Sequence, residues 1–534
     1  MKILVVAPKN QMSIFPTGLS FIVSVLKKNG HNVDCINRNL NDNFDDILKG
    51  YDFVATGGLA VNYAEIEDII NKAKHSGKKT ILGGGIVTSA PELIIRSLKP
   101  DYSVLGEGEE TIIELLRCIE SNGNLENIPG LAFFKNNNFI ITPDRKPIMN
   151  IDEIPYPDYE ALGYQEFLEK LKPSTLYYLD SFDHPRPYPI LCSRSCPYSC
   201  TFCYHPIGKV YRTRSIDSII EELRYVIPKY KINILEILDE LFSCDKKRLY
   251  EFSSRLRELL NEFPWEIKWG CQLMVKELDS DLIKELISSG CYNISLGLES
   301  YSEVVLKSMK KRITPEEIHK AVHYCLEAPI SLQGNFIFGD KAETKATAKE
   351  TMDFWKEHSK AGIMLGFVQP YPDSELFRYC IEKGIIKDKL DSIKNIVVRN
   401  YNMTEMSNDD FLELKAEILL SRYRFNPYSI PKKVDKETLI IECPHCLHTI
   451  EYKNFDVTFL SDSTLIFKTS LNAFNKVMYC RICRRRFWAR NSLFQLFINF
   501  FIIIPPALMV KILGFVKTIV NNKLRIKLEN MINK

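Results

Sequence analysis

The residues with the clearest capacity for chemistry are three closely spaced cysteines in the middle of the chain. Cys196, Cys200 and Cys203 stand in the sequence CSRSCPYSCTFCYHP with the spacing C-x3-C-x2-C. Such spacing lets one loop supply thiolates to three corners of a 4Fe-4S cube and leaves the fourth iron open. An open iron can bind S-adenosylmethionine and pass an electron to its sulfonium, which yields methionine and a 5′-deoxyadenosyl radical. The loop is therefore predicted to hold such a cluster, in preference to a zinc ion or free thiols.

A further cysteine, Cys192, lies just before these three. As a fourth ligand it would close the cluster and indicate an electron carrier. In the preceding strand it would instead be a small buried apolar residue. We favour burial in the strand.

Length and composition place the chain among large globular proteins of a reducing compartment. Its 534 residues suggest about three domains, with 45% hydrophobic and 26% charged residues. The net charge of +3 gives no support to a nucleic-acid partner, and none is expected. The N-terminal sequence MKILVVAPKN enters a strand pattern directly and shows no secretory signal. We therefore expect a cytoplasmic location, in which clustered cysteines bind metal.

The elements that must position these residues are two series of alternating strands and helices. Residues 1–145 predict a doubly wound, Rossmann-like α/β domain with a parallel sheet. In such sheets ligands bind at the carboxyl ends of the strands, where the glycines of this region fall. Residues 186–410 predict six further units, which favours a partial TIM-type (β/α)6 barrel over a complete one. A proline-rich linker over 146–185 joins the two series, and a connector over 411–437 follows.

A second cysteine set lies near the C-terminus. Two C-x2-C pairs can supply four sulfurs to a zinc ion, which predicts a small zinc-ribbon-like module over 438–490. A rubredoxin-like iron site is the alternative, and the gap between the pairs is longer than in most ribbons. The adjacent run Arg484–Arg486 is interpreted as a solvated basic edge, as most charge runs are. The predicted ligands are Cys443, Cys446, Cys480 and Cys483.

The remaining segment, residues 491–534, is an apolar tail broken by Pro505 and Pro506. Neither half reaches the ~20 apolar residues that a straight membrane-spanning helix needs. Flanking lysines and arginines suit an amphipathic helix on an anionic membrane surface, and a pair of helices packed on the protein itself is the alternative. We favour peripheral association with the inner face of the membrane.

The ordered motifs after the cysteine loop resemble the radical S-adenosylmethionine superfamily, in particular its cobalamin-binding class. The resemblance covers residues 1–410, with Phe202 at the place of the family's aromatic beside the last cysteine. It implies that Leu296–Ser300 and the segment 334–344 lie near bound S-adenosylmethionine. Where relatives often carry an arginine after the third barrel strand, this chain has Met274. The implied cofactor contacts are Gly297, Glu299, Gly339 and Glu343.

The N-terminal domain carries signatures of the same class. The sequences FPTGL, GGG and LGEGE lie where the class has its cobalamin-binding motifs, and glycine turns let the nucleotide tail of a corrin lie against the backbone. The loop Ala7–Phe15 contains no histidine, and His31 is interpreted as a surface residue. The resemblance therefore implies cobalamin with no imidazole on its lower face. The implied contacts are Gly18, Gly84, Gly106 and Gly108.

These implications combine into a predicted reaction. The radical takes a hydrogen atom from an unactivated carbon of a small-molecule or lipid substrate, and methylcobalamin supplies a methyl group. Ring formation or rearrangement within the same class is the first alternative. A methylthio-transferring enzyme is disfavoured, because residues 1–145 contain only Cys35 and Cys118 for a second cluster. A non-catalytic metal-binding interaction protein is the last alternative. An external electron donor such as flavodoxin or ferredoxin is expected.

Overall fold

The computed structural model describes residues 1–10, 14–44, 47–176, 178–242, 244–397, 401–457, 475–492, 495 and 499. Two α/β units follow each other along the chain, and a small cysteine-bearing module comes last. The strands of the first unit are β1 Lys2–Ala7, β2 Asn32–Asn37, β3 Phe53–Gly57, β4 Lys79–Gly83, β5 Tyr102–Val104, β6 Leu131–Lys135 and β7 Asn138–Ile141. Its helices are α1 Thr17–Lys28, α2 Tyr63–His75, α3 Gly85–Ser89, α4 Pro91–Leu98 and α5 Glu109–Glu120.

The first unit is a doubly wound sheet with the strand order β2-β1-β3-β4-β5-β6-β7. The first five strands are parallel. Successive residues of β1 face opposite layers: Ile3 and Val5 pack towards α1 and α5, whereas Leu4 and Val6 pack towards α2. The order reverses between β1 and β3, and ligands bind at such a switch point.

The last two strands of this sheet form an antiparallel hairpin that the strand pattern did not predict. Asn136 and Asn137 make its turn, with φ of 51° and 65°. Two consecutive left-handed residues are typical of a tight hairpin turn, and asparagine tolerates that conformation well. The Asn-Asn pair between two apolar runs is the sequence feature from which this hairpin could have been predicted.

The second unit is a six-stranded parallel sheet with the order β15-β14-β13-β12-β11-β8, as a partial barrel requires. A two-residue ladder, β9 Ser193–Arg194 with β10 Arg212–Thr213, follows its first strand. The sheet strands are β8 Pro187–Ile190, β11 Ile234–Ile237, β12 Lys268–Leu273, β13 Cys291–Glu299, β14 Ser331–Phe338 and β15 Met364–Phe367. The helices are α7 Ile216–Tyr230, α8 Lys246–Leu260, α9 Ser280–Ser288, α10 Glu303–Ser308, α11 Pro315–Glu327, α12 Lys345–Glu357, α13 Glu375–Glu382 and α14 Lys389–Lys394.

The two faces of the barrel sheet differ in polarity. Apolar residues such as Trp269, Leu296 and Phe336 pack under the helices. Alternate positions face inward and carry polar side chains, because successive side chains of a strand point to opposite faces. The strand register sets Gln272 beside Ser295 and Ser295 beside Gln333. We call this inner face the lumen; its polar residues include Glu236, Gln272, Ser295, Gln333 and Asn335.

The proline-rich segment 146–185 packs along the outer edge of the barrel. It contains α6 Tyr164–Lys170 and buries Tyr159 and Tyr164. The hydroxyl of Tyr159 donates to the carbonyl oxygen of Pro189 at 2.7 Å, and that of Tyr164 donates to the carbonyl oxygen of Pro187. These bonds occupy carbonyl groups on the free side of β8, which would otherwise be an unpaired sheet edge.

The C-terminal module follows α15 Asn408–Phe425 and consists of two three-stranded sheets. Its small core contains Cys443 and Cys480 together with residues such as Ile441, Tyr452 and Phe487. No helix in the described part of the chain combines the length and the apolarity needed to cross a membrane. Apart from residues 491, 492, 495 and 499, the predicted tail 491–534 lies outside the described residues. The module's strands are β16 Tyr428–Ser429, β17 Lys433–Asp435, β18 Thr438–Glu442, β19 Thr449–Tyr452, β20 Asn475–Tyr479 and β21 Arg486–Arg490.

Candidate active site

The three cysteines lie on a loop, residues 195–211, that the β9–β10 ladder closes at its base. The loop follows the first barrel strand, so it lies at the carboxyl end of the barrel, where the chemistry of this fold gathers. Backbone hydrogen bonds tie it to the barrel rim: the Thr201 N–H donates to the Met309 carbonyl at 3.0 Å, and the Thr201 carbonyl accepts from Leu376 at 2.8 Å. The cysteine loop is thus held in place by the strands and helices around it.

The cysteine side chains of the loop are partly open to solvent. Cys196, Cys200 and Cys203 are each partly buried and none is in a disulfide. A hydrogen bond with Cys203 lowers the pKa of the Cys200 thiol, and the nearby charge of Lys311 acts in the same direction. The charged form of a thiol is the one that binds iron. Three thiols on one anchored loop, one of them poised to ionise, fit the three-cysteine ligation of a 4Fe-4S cluster.

Cys192 is separated from this set. It is fully buried in the barrel core, and its N–H donates to Asp239 Oδ1 at 2.8 Å. Burial raises the pKa of its thiol well above the ordinary value, which disfavours the thiolate that a metal needs. This environment agrees with the structural role that the sequence favoured. Asp239, which follows β11, is itself buried, and burial raises its pKa to about 7.

Glu299 forms a buried ion pair with Lys311 beside the cysteines, and Gly297 lies against that pair. Glu299 Oε1 lies 2.9 Å from Lys311 Nζ, and both side chains are 10% exposed. Burial opposes the charge on Lys311, but Glu299 and Cys200 outweigh it and raise the pKa of Lys311. A Cβ at Gly297 would lie 2.3 Å from Glu299 Oε1 and 2.6 Å from Lys311 Nζ. Gly297 is therefore required by the pair, and Lys311 is a residue that sequence reasoning missed.

Gly339 and Glu343 form the turn after the fifth barrel strand. Gly339 has φ of +99°, a conformation that favours glycine. Its N–H donates to Glu343 Oε2 at 2.9 Å. Burial raises the pKa of Glu343 to about 8. The carboxyl group thus fixes the backbone of the turn, and a direct contact of either residue with S-adenosylmethionine stays a prediction.

The aromatic residue of the loop packs against the end of the barrel. Phe202 contacts the apolar cluster of the sixth barrel unit, which includes Val368, Leu376 and Phe377. Met274, in the place of the arginine of relatives, is buried after β12. Phe202 therefore anchors the loop to the end of the barrel, and its contact with a cofactor stays a prediction.

The glycine motifs of the first unit lie at the carboxyl ends of its strands. Gly84 has φ of +85°, and a Cβ there would lie within 2.9 Å of the backbone of Gly58. Gly18 and Gly106 have no atom within 4 Å of the place that a Cβ would take. At Gly108 a Cβ would meet Ile22 and Val104 at 3.1 and 3.3 Å. The packed turns at Gly84 and Gly108 thus lie beside open backbone at Gly18 and Gly106. Such a surface fits a large planar group such as a corrin, and we call it the corrin cradle.

His31 is remote from this cradle. It precedes β2, and the charges that act on it belong to the N-terminal amine, Glu120 and Arg117. These groups lie at the amino ends of the strands, opposite to the glycine turns. The described part of the loop after β1 has no histidine either, as the sequence shows.

The two units are joined directly at the cysteine loop. Arg194 and Arg212, which flank the loop, both bind the carboxylate of Glu107, with N–O distances of 2.8 Å. Arg194 also binds Glu109 at 2.6 Å. All four side chains are at most 10% exposed. Glu107 and Glu109 are the acidic residues of the LGEGE motif, so the ion pairs connect a predicted cobalamin motif to the cluster-binding loop.

A second contact connects the other glycine motif to the same loop. The hydroxyl of Tyr204, the residue after Cys203, donates to the carbonyl oxygen of Gly85 at 3.0 Å. A Cβ at Gly85 would lie 3.3 Å from the Tyr204 ring. Sequence reasoning missed Tyr204, Arg194 and Arg212, because pairs so far apart in the chain leave no local pattern. The geometry sets the predicted corrin cradle and the predicted cluster face to face.

Comparison with known proteins supports both parts of this site. Residues 190–354 match the Radical SAM superfamily and residues 3–116 match the B12 binding domain. The "Uncharacterized methyltransferase PH0819" of Pyrococcus horikoshii is 30% identical over 405 residues, which are 72% of this chain and 84% of that protein. The "Anaerobic magnesium-protoporphyrin IX monomethyl ester cyclase" of Cereibacter sphaeroides is 25% identical over 52% of this chain and 44% of its own length.

A solved structure has the same fold. The cobalamin-dependent S-adenosylmethionine radical enzyme OxsB superimposes with a TM-score of 0.64 at 16% sequence identity, over 80% of this chain and 67% of that one. The chain belongs to the radical S-adenosylmethionine superfamily, in the class that carries a B12-binding domain. It is an enzyme of that class, and its cofactors are a 4Fe-4S cluster, S-adenosylmethionine and cobalamin. When bound, the cluster supplies an electron for the cleavage of S-adenosylmethionine and cobalamin supplies a transferable methyl group.

Proposed function

We propose that the protein transfers a methyl group to an unactivated carbon of a small-molecule or lipid substrate. One observation carries the proposal: the glycine motifs contact the cysteine loop directly, Glu107 through the flanking Arg212 and Gly85 through Tyr204 within the loop. Methyl transfer needs the methyl donor and the radical on one substrate carbon, so the two cofactor sites must face each other. The methyltransferase relative, which this chain covers over 84% of its length, supports the same reaction.

The lumen supports a substrate with polar groups. Within the described chain, the side chains of Gln272, Gln333 and Asn335 make no hydrogen bond to protein, and Ser295 lies between them in the register. Side-chain amides that have both donors and acceptors free can orient a polar substrate. The carbon that reacts would lie above them, between the lumen and the N-terminal unit.

Cyclisation is the second candidate. It is supported by the cyclase relative, although this chain covers only 44% of that protein. Both reactions begin with the same radical, and they differ in whether cobalamin gives up a methyl group. The chain's own residues have the same tasks in both: they hold the cofactors, orient the substrate and exclude water.

The test is isotopic. Anaerobic protein that has been reconstituted with iron, sulfide and cobalamin is reduced and incubated with a cell extract and S-adenosylmethionine labelled in its methyl group. We expect the label in one product whose mass exceeds that of its precursor by a single methylene unit. A product that forms without the label would contradict methyl transfer and favour cyclisation. The exchange Cys200→Ser is expected to abolish the product, and the exposed Cys244→Ser to leave it unchanged.

The C-terminal module, the electron donor and the cellular location are the subject of further proposals. We propose that residues 438–490 are a zinc-ribbon-like module, since two C-x2-C pairs meet in its core. Flavodoxin or ferredoxin is proposed as the electron donor, and a cytoplasmic location with peripheral membrane association as the setting. Binding of the full chain to anionic liposomes, compared with a truncation before Ser492, tests the last point; equal binding would reject it.

A further inference from the structure

The four C-terminal cysteines converge on one point. The Sγ atoms of Cys443, Cys446, Cys480 and Cys483 all lie within 4.8 Å of one another. The sulfurs of Cys446 and Cys480 are 3.6 Å apart, and those of Cys443 and Cys483 are 3.7 Å apart. A disulfide would bring two sulfurs to about 2.05 Å, so these are separate thiols. Four converging sulfurs are the tetrahedral donor set of a zinc ion or of a single iron.

The two halves of this set repeat one backbone geometry. The N–H two residues after Cys443 donates to its Sγ at 3.4 Å, and the N–H two residues after Cys480 does the same at 3.4 Å. Leu447 and Arg484 follow the second cysteine of each pair and are left-handed, with φ of 61° and 59°. Backbone donors aimed at sulfur stabilise a thiolate. The same local geometry occurs in two segments that are 34 residues apart in the sequence. This agreement points to one ligand that both segments bind.

The surroundings of the four cysteines are those of a metal site that has no free coordination position. Cys443 and Cys480 are fully buried, and Cys446 and Cys483 pack against the same small core. A structural zinc site has four protein ligands and no open position, whereas a catalytic one keeps a place for water or substrate. The core of this module is small, and small cores need a metal or a disulfide to be stable.

The module lies across the amino ends of the barrel strands, which we call the base of the barrel. The carbonyl oxygen of Arg484 accepts from Ser331 Oγ, at the start of β14, at 2.7 Å. Arg485 donates to the carbonyl of Cys325 at 3.1 Å, at the end of α11. Arg486 is buried and donates to the carbonyl of Gly362, just before β15, at 2.7 Å. The arginine run is therefore not the solvated edge that its charge predicted, because carbonyl groups at the base bind it.

The segment before the first barrel strand completes this contact. Asp180 is buried and accepts from the N–H of Tyr479 at 2.6 Å. Arg481 binds Asp183 at 2.8 Å. Tyr292, the second residue of β13, is buried, and its hydroxyl donates to the carbonyl oxygen of Tyr178 at 2.8 Å. The segment thus joins the module to the amino end of β13.

We infer that Cys443, Cys446, Cys480 and Cys483 bind a zinc ion, and that the zinc-bound module closes the base of the barrel. The lumen then opens at its other end, towards the cysteine loop and the N-terminal unit. This inference stands independently of methyl transfer. Its consequence is physical: a closed base keeps bulk water out of the lumen, and radical intermediates survive longer where water is excluded.

Metal analysis tests whether the four cysteines bind zinc. The full chain, purified anaerobically and reconstituted, is expected to hold about one zinc ion in addition to the iron of its cluster. Zinc X-ray absorption of the wild-type protein is expected to show four sulfur ligands at about 2.3 Å. The double variant Cys446→Ser/Cys483→Ser should lose at least nine-tenths of the zinc and keep its iron. The control Cys118→Ser/Cys244→Ser, which changes two cysteines outside both sites, should keep both metals.

Hydrogen exchange tests whether the zinc-bound module closes the base of the barrel. In the zinc-site variant we expect about tenfold faster exchange at residues 325–331 and 362–364 than in the control, with no change in the cysteine loop. Iron in place of zinc, nitrogen or oxygen ligands, or a chain without this metal would overturn the metal assignment. A zinc-free variant with wild-type exchange at the base would overturn the closure. The wild-type absorption spectrum decides the metal question even where the variant fails to fold.

Discussion

At the scale of single residues, Gly297 is a position where one added carbon would disturb a buried ion pair. A Cβ there would lie 2.3 Å from Glu299 Oε1 and 2.6 Å from Lys311 Nζ, so Gly297→Ala must displace the buried ion pair beside the cluster. We expect at least a tenfold loss of 5′-deoxyadenosine formation with the iron content retained. The matched control is Gly366→Ala on another barrel strand, whose Cβ would meet its neighbours at 3.9 and 4.0 Å, ordinary contact distances. Equal activity of the two variants would contradict the role of the pair.

Glu236 gives a prediction about pH. Burial raises its pKa from 4.5 to about 8, and its Oε1 has no hydrogen-bond partner in the described structure. The folded state therefore binds the proton more tightly than the unfolded state does. The stabilisation is complete below the unfolded pKa and is lost as the pH rises towards 8.

The exchange Glu236→Gln removes this pH dependence. Between pH 5 and 8 we expect the variant to gain up to about 1.4 kcal/mol of unfolding free energy per pH unit relative to the wild type. Denaturant unfolding at several pH values measures the difference. A difference that is constant across this range would show that the carboxyl group titrates normally in the folded protein.

At the scale of elements, the ion pairs between the LGEGE motif and the β9–β10 ladder fix how the two units face each other. Glu107 has a side chain only 4% exposed between two arginines. Removing one member of a buried charge network leaves the others unpaired and costs about 3–5 kcal/mol. We expect Glu107→Gln to destabilise the protein by this amount and to reduce methylation more strongly than 5′-deoxyadenosine formation.

The control for this prediction lies three residues further along. Glu110 binds Arg145 at 2.9 Å, but its side chain is 53% exposed. Exposed ion pairs contribute about 0–1 kcal/mol. Glu110→Gln should therefore leave both stability and product formation close to wild type. If Glu107→Gln instead reduces methylation and 5′-deoxyadenosine formation by the same factor, the network does not control how the two cofactor sites face each other.

At the scale of the whole molecule, local sequence patterns predicted the elements better than the contacts between them. The alternation of strands and helices, and the short cysteine spacing, are local and survive in any single sequence. The pair of Glu107 and Arg212 joins residues 105 apart, and Arg486 meets a carbonyl 124 residues away. A charge run shows that charge is present, but only the folded chain shows which carbonyl groups lie opposite to it.

The central claim is that Cys196, Cys200 and Cys203 hold a 4Fe-4S cluster on which S-adenosylmethionine is cleaved. Electron paramagnetic resonance of the reduced, anaerobic protein, before and after addition of S-adenosylmethionine, tests it most directly. We predict a cluster signal whose shape changes when S-adenosylmethionine binds, with loss of that signal in each of the three cysteine-to-serine variants and its retention in Cys192→Ser. A signal indifferent to S-adenosylmethionine, or one that disappears only when Cys192 is replaced, would contradict the account.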